Sequence, residues 1–305
     1  MSSDVWADGA TAKTQLGRVG VWLGPIGQVP WADARGVAQR IEELGYGALW
    51  VSETPSAKEA FTHAGLLLGA TERLPVGTGI ANIWARDATA MRNAALALAE
   101  AHPGRFTAGI GVSHRPAVAM RGHDYAKPLT AMRTYLDGID ATPWAGPVPA
   151  EPVPLVLAAL RPRMLELARD RTAGAHPYFV SVEHTARARA ALGAAPLLAP
   201  EVAVVLETDP SVARERARRY AKLYLSLPNY TNNLRDLGYT DEDLSGNGSD
   251  RLIDAVIPWG DEATIARRVA EHHEAGADHV CVQPVGTDVA GALGELERLA
   301  PTLLG

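Results

Sequence analysis

Short apolar runs alternate with longer amphipathic stretches along almost the whole of this chain. Val19-Gly-Val-Trp-Leu23 stops at Gly24-Pro25, a turn signal. In 31–44, Ala34, Val37, Ala38, Ile41 and Leu44 share one face at helical spacing, and Gly45 stands where a left-handed cap belongs. Residues 48–51, 75–83, 106–112, 155–158, 177–182, 201–206 and 278–283 read as strands two to eight. Helices are expected over 57–70, 87–102, 129–139, 162–171, 209–224, 261–275 and 289–299, with Asp87 and Asp209 as N-caps. The strand runs lack clean alternation, as expected when both faces of a parallel sheet are covered. Leu44 to Val51 and Ala275 to Val282 share one pattern of helix end, glycine, tight loop and strand. About eight βα units fit an α/β fold, a closed (β/α)8 TIM barrel; a doubly wound open sheet is the alternative. Residues 1–15 read as a flexible tail and 16–305 as a single domain, with the polar stretch 226–258 as an insertion.

Composition excludes several classes of function. Of 305 residues 47% are hydrophobic and 21% charged, enough apolar surface to offset chain entropy. No stretch approaches the roughly 18 apolar residues needed to cross lipid. A net charge of −6 argues against nucleic acid, which needs a basic face. One cysteine forms no internal disulfide and no Cys-rich zinc site. Residues 1–16 are polar, without the apolar core of a signal peptide, so a cytoplasmic location is expected.

In a βα barrel the chemistry sits at strand C-termini and the loops after them. Strand three runs Gly77-Thr-Gly-Ile-Ala-Asn82, and glycine inside a strand marks either a bulge facing a planar ligand or a tight packing point. Strand four ends Gly109-Ile-Gly-Val-Ser-His114, which lacks the last glycine of a dinucleotide fingerprint. His114 is then a candidate general acid or base, or a surface-loop histidine. Glu53 after strand two is a base, a partner for a polar ring edge, or a cap. Arg161-Pro-Arg163 opens a helix whose free N–H groups and guanidinium ions favour an anion, or simply a solvated helix start. His272, His273 and His279 do not make a metal set, and Cys281 reads as a buried apolar residue; no metal is expected.

These strand ends together resemble the luciferase-like monooxygenase superfamily, in its coenzyme F420-dependent oxidoreductase branch. The resemblance is carried by Gly77-Thr-Gly-Ile-Ala-Asn-Ile-Trp-Ala-Arg-Asp87, Pro103-Gly-Arg-Phe106 leading into Gly109–His114, Leu157-Ala-Ala159, Gly174-Ala-His-Pro-Tyr178, Trp259-Gly-Asp261 and Ala275-Gly-Ala-Asp-His279. It implies a bacterial-luciferase-like TIM barrel holding a deazaflavin at its C-terminal end, with a cis peptide at Gly79-Ile80 and Ile80 against the ring. It assigns Glu53, Gly79, Ile80, Ala81, Asn82, Val112, Ser113, Ala158, Leu160, Arg161, Arg163 and Met164 to the cofactor, and His114 and Glu53 to catalysis. Trp84, His176 and Tyr178 would line the substrate pocket, and Tyr230 is a further aromatic candidate; the loops 54–70, 115–128, 176–184 and 226–258 would shape it. The implied activity is hydride transfer between F420 and a small organic substrate, with a homodimer as the assembly. Thr54 stands where sugar-phosphate dehydrogenases of this branch carry a histidine, which argues against such substrates. The alternatives are an FMN-dependent luciferase-like monooxygenase and a non-catalytic flavin-binding barrel.

Overall fold

The computed structural model describes residues 5–305. The eight-unit rhythm closes into a ring of parallel strands. Strand β1 (Val19–Trp22) pairs with β2 (Leu49–Val51), and β2 with β3 (Val76–Thr78). After a break at Gly79-Ile80 the third barrel strand resumes as β4 (Ala81–Asn82), and both halves pair with β5 (Phe106–Gly111). Then come β6 (Leu155–Leu157) and β7 (Gly174–Ala175). The seventh barrel strand is two pieces, β8 (Leu197–Leu198) and β9 (Glu201–Leu206), separated by Ala199-Pro200. β8 pairs with β7, while β9 pairs with β11 (Val280–Pro284), and β11 returns to β1 to close the ring. A short strand β10 (Trp259–Gly260) adds to the far end of β9.

The missing alternation in the strand runs has a plain cause: both faces are apolar. Val21, Leu49, Val51, Val76 and Ile110 face outward into the layer of helices. Trp22, Ala48, Trp50, Val156, Leu197 and Cys281 fill the interior of the barrel. Glycines make room for the large interior rings. A Cβ on Gly77 would lie 2.6 Å from the Trp50 ring, and one on Gly20 would lie 2.5 Å from His279. Gly77 is thus a packing point. The helices α2 (Trp31–Leu44), α3 (Ala60–Ala70), α4 (Ala88–Ala101), α6 (Pro128–Ala141), α7 (Pro162–Arg171), α8 (Val182–Leu192), α9 (Pro210–Leu225), α13 (Glu262–Glu274) and α14 (Val289–Leu304) wrap the outside. Gly45 ends α2 at φ 87, and Asp87 and Asp209 cap α4 and α9 as their side chains suggest.

Three expectations are corrected. The stretch 5–15 is no loose tail: Gly9–Leu16 is helix α1, capped by Asp8, and Ala12 and Leu16 are fully buried in the barrel's inner cluster. Residues 1–4 lie outside the described residues. Strand six is not 177–182 but Gly174–Ala175, because Pro177 and the left-handed Phe179 (φ 56) break the extended run. The polar insertion 226–258 is mostly helical: α10 (Pro228–Asp236), α11 (Asp241–Leu244) and α12 (Asp250–Val256) bury Tyr230, Leu234, Leu252 and Ile253 against α9 and β9. Its apolar residues are too widely spaced among Asn, Asp and Gly for the helical period to show. No helix among the described residues is long and apolar enough to cross a membrane.

Candidate active site

The C-terminal ends of β3, β4, β5, β6 and β7 bring most of the candidate residues to one mouth. The Gly79-Ile80 peptide is cis, as the resemblance implies. Trp22 Nε1 donates to Gly79 O at 3.1 Å, and a side chain on Gly79 would collide with that indole. Ile80 lies across the next strand. A Cβ on Gly111 would sit 2.6 Å from Ile80 Cδ1 and 3.0 Å from the Cβ of Ala158. Two glycines therefore let Ile80 form a half-buried apolar platform beside Ala158.

Glu53, read as a base, a partner for a polar ring edge or a cap, is bonded into the bulge that carries this platform. Its side chain is 3% exposed and its Oε2 accepts from Asn82 N at 2.6 Å. Arg86 grips both of its oxygens, Nη1 at 3.0 Å on Oε2 and Nη2 on Oε1. Arg86 also donates to Glu59 at 2.6 Å, and Arg121 approaches Glu53 to 3.9 Å. A carboxylate so engaged holds the shape of the bulge and is not free to take a proton from a ligand. Asn82 Oδ1 is spent on Trp84 N at 2.9 Å, and Trp84 Nε1 donates to Val112 O at 3.0 Å. Ser113 follows with φ 57, a left-handed turn that carries the chain to His114.

His114 precedes α5 (Arg115–Ala119) and its ring stands 5.4 Å from that of Tyr230. Its Nδ1 is buried without a hydrogen-bond partner, and burial lowers its pKa against an opposing hydrogen bond with Asn229, so the ring is neutral at ordinary pH. A neutral imidazole with an open ring nitrogen accepts or gives up a proton readily. Thr54 Oγ1 is likewise buried and unpartnered.

His176 and Tyr178 do not line an open pocket. His176 is 1% exposed, stacks on Trp50 at 4.5 Å inside the barrel and bonds Ala199 O through Nδ1 at 2.7 Å. Burial brings its pKa down to about 4. The Tyr178 hydroxyl meets Tyr220 at 2.7 Å, Tyr224 at 3.0 Å and Gln283 Oε1 at 3.0 Å. Three polar partners surround this hydroxyl, so it braces the wall. Arg86 and Gln283 stand at strand ends where chemistry was expected, but no role was read for them; Tyr220, Tyr224 and the buried Glu201 were not among the sequence candidates. Glu201 carried a signal, an acid opening an otherwise apolar strand; Arg86 lay within the strand-three motif.

The anion candidates lie one strand further round. Leu160 O accepts from His184 Nε2 at 2.7 Å, and Met164 packs half-buried on the core. No side chain caps the start of α7, and Arg163 is exposed there. Arg161 bonds Asp236 on α10 at 3.0 Å, with both side chains 52% exposed. An exposed pair of this kind is worth about 1 kcal/mol or less, so a phosphate could displace Asp236. A groove of about 710 Å³ elsewhere is lined by Arg214, Arg218, Lys222 and Asp250, but none of its lining residues belongs to these strand ends. The glycine-backed platform, the unpartnered His114 nitrogen and the uncapped, arginine-flanked helix start together fit a planar cofactor bearing a phosphate.

Comparison with known proteins agrees with this geometry. The family model described as luciferase-like monooxygenase matches residues 14–279. A Mycobacterium tuberculosis protein named as a coenzyme F420-dependent oxidoreductase is 30% identical over 121 residues, 39% of this chain and 35% of its own length. The match thus spans about a third of that relative. The coenzyme F420-dependent tetrahydromethanopterin reductase of Methanopyrus kandleri superposes with a TM-score of 0.74 at 17% identity, covering 94% of this chain and 99% of that one. The oxygenating constituent of 3,6-diketocamphane monooxygenase from Pseudomonas putida, in complex with FMN, gives 0.69 at 14% identity over 94% and 99%. At these identities the structures speak for the fold. With a family model covering most of its length and the barrel to match, this chain belongs to the luciferase-like monooxygenase family.

Proposed function

We propose that this protein is an F420-dependent oxidoreductase that exchanges a hydride with a small organic substrate at the C-terminal mouth of the barrel. The observation that carries the reading is the Ile80 platform, held by Glu53 and Arg86 on one side and opened by Gly79 and Gly111 on the other. The F420-dependent relative supports the choice of cofactor. A bound deazaflavin would supply the hydride chemistry. Ile80 would back the ring, Asn82, Val112 and Ser113 would flank its polar edge, and Arg161, Arg163 and the α7 N–H groups would take the phosphate. His114 would give or take the accompanying proton at Nδ1. Trp84 and Tyr230 would exclude water beside it. Cytoplasmic location and a homodimer belong to this reading, and light scattering tests the latter.

The second reading, an FMN-dependent monooxygenase, is favoured by the family description and by the FMN-bound neighbour. Fluorescence titration of the purified protein with F420 and FMN, oxidised and reduced, separates the two. Saturable F420 binding supports the first. Tight FMN binding with oxygen consumption supports the second. Binding of neither cofactor sinks both.

A further inference from the structure

Glu201 opens β9 with no exposed surface at all. Its Oε2 accepts from Phe179 N at 3.0 Å, and its own N–H donates to Pro177 O at 2.9 Å. One residue thus ties the turn 177–179 at both ends. Phe179 is held there at φ 56, a region that bulky side chains rarely adopt without enforcement. The Phe179 ring stacks on Tyr224 at 4.9 Å and meets Tyr230 edge-on at 5.8 Å. Tyr230 in turn stands 5.4 Å from His114. The neighbouring Tyr178 enters the hydroxyl cluster of Tyr220, Tyr224 and Gln283.

We propose that the buried Glu201 side chain is a positioning residue for the barrel mouth, clamping the left-handed turn at Phe179 and, through Phe179 and Tyr230, fixing the ring of His114. This rests on the proposed function only for what His114 does; the clamp concerns the protein alone. The titratable groups that feel Glu201 are Tyr178 from the turn, Tyr220 and Tyr224 from α9, Tyr230 from α10 and Cys281 from β11. None is a cation, and Glu201 Oε1 has no hydrogen-bond partner. Burial pushes the Glu201 pKa up to about 8, against the opposing pull of the Phe179 N–H and the Tyr220 hydroxyl, so the clamp works as the neutral acid. The surrounding tyrosines and Cys281 are all raised, Tyr224 to about 12, and His114 and His176 are lowered. None of these groups is therefore expected to titrate with Glu201. Ionisation would leave a buried charge with hydrogen bonds but no cation beside it, which is costly, so loss of this proton should disturb the turn.

The test is read on the protein without cofactor. Histidine-ring NMR signals of His114, assigned by comparison with His114→Asn, are followed from pH 6.5 to 9.5 together with near-ultraviolet circular dichroism. The wild-type protein should show one transition in both near pH 8. Glu201→Gln keeps an acceptor for Phe179 N but cannot ionise, so its pH 7 spectra should match wild type and the transition should vanish. Glu201→Leu removes the acceptor and should displace the His114 signal already at pH 7. A wild type without the transition, or a Glu201→Gln protein that keeps it, overturns the proposal even where the Leu variant fails to fold. F420 titration of the same samples is scored separately: absent F420 binding sinks the proposed cofactor and leaves the clamp to be judged by the spectra.

Discussion

Arg86 is the side chain on which the shape of the mouth depends most. It is 11% exposed, holds both oxygens of the 3% exposed Glu53 and reaches Glu59 as well. Removing one partner of a buried pair leaves an uncompensated charge, at a cost of about 3–5 kcal/mol. Arg86→Ala should therefore lower unfolding stability by about that amount in urea titration; a loss under about 1 kcal/mol would mean that water reaches the pair. Arg161 and Arg163 lie at the other extreme, both exposed, so folding should depend little on them. Each charge-assisted contact to a phosphate is worth about 1.5–3 kcal/mol, so Arg161→Ala with Arg163→Ala should weaken F420 binding about 100-fold or more at unchanged melting temperature. Unaltered affinity would move the phosphate site elsewhere. The strand-three glycines show how far a residue type can be read alone. Gly77 and Gly79 are identical in sequence, yet one makes room for Trp50 in the core and the other begins the bulge at the mouth.

At the scale of elements, helix α1 acts as a plug. Leu16 is fully buried among Trp50, Val156 and Leu197, and the carbonyl of the following Gly17 is bonded to His279 Nδ1 at 3.0 Å. Leu16→Ala should cost about 2–5 kcal/mol in chemical denaturation, the usual range for a buried leucine; a cost near zero would show the helix to be loosely docked. The helices of strong period or clear caps were legible beforehand: α2 falls where its apolar spacing puts it, and α4 and α9 open at the aspartates read as their caps. The insertion was legible only as polar. Its helices are short and gain their stability from packing on α9, so their local sequence carries little helical signal. Strand six shows the same limit in the other direction. Its apolar-looking run, 177–182, turns out to be a bonded turn, because Glu201 on a distant strand holds Phe179 in a left-handed conformation.

For the molecule as a whole, the balance of buried titrating groups sets the pH at which it is most stable. Burial lowers His63, His176 and His279 to about 4 and His272 to about 3, so the unfolded chain binds protons first as pH falls below the ordinary value of 6.5. Stability supplied by these four is present above pH 6.5 and is lost on acidification toward 4. Glu201 has the opposite sign. Its folded value near 8 lies above the ordinary 4.5, so its contribution is complete below 4.5 and is lost as pH rises to 8. Thermal melts from pH 4 to 9 should therefore peak between about 6.5 and 7, and the alkaline decline should disappear in Glu201→Gln; a monotonic rise to pH 9 would contradict this. The eightfold βα order, the positions of most strands and helices and the family itself followed from apolar spacing, caps and strand-end motifs, because those signals are local. So did the choice of Gly79, Ile80, Asn82 and His114 as neighbours in one mouth, since barrel topology sends every strand end to the same side. Folding in three dimensions settled which polar groups remain free. Glu53 is consumed by Arg86, the Tyr178 hydroxyl by Tyr220, Tyr224 and Gln283, and Arg161 is partnered by Asp236, whereas His114 Nδ1 is left without a partner. Partners 33 to 105 residues apart in the chain meet only when the barrel closes, and no local pattern records which of them will exhaust a donor or an acceptor.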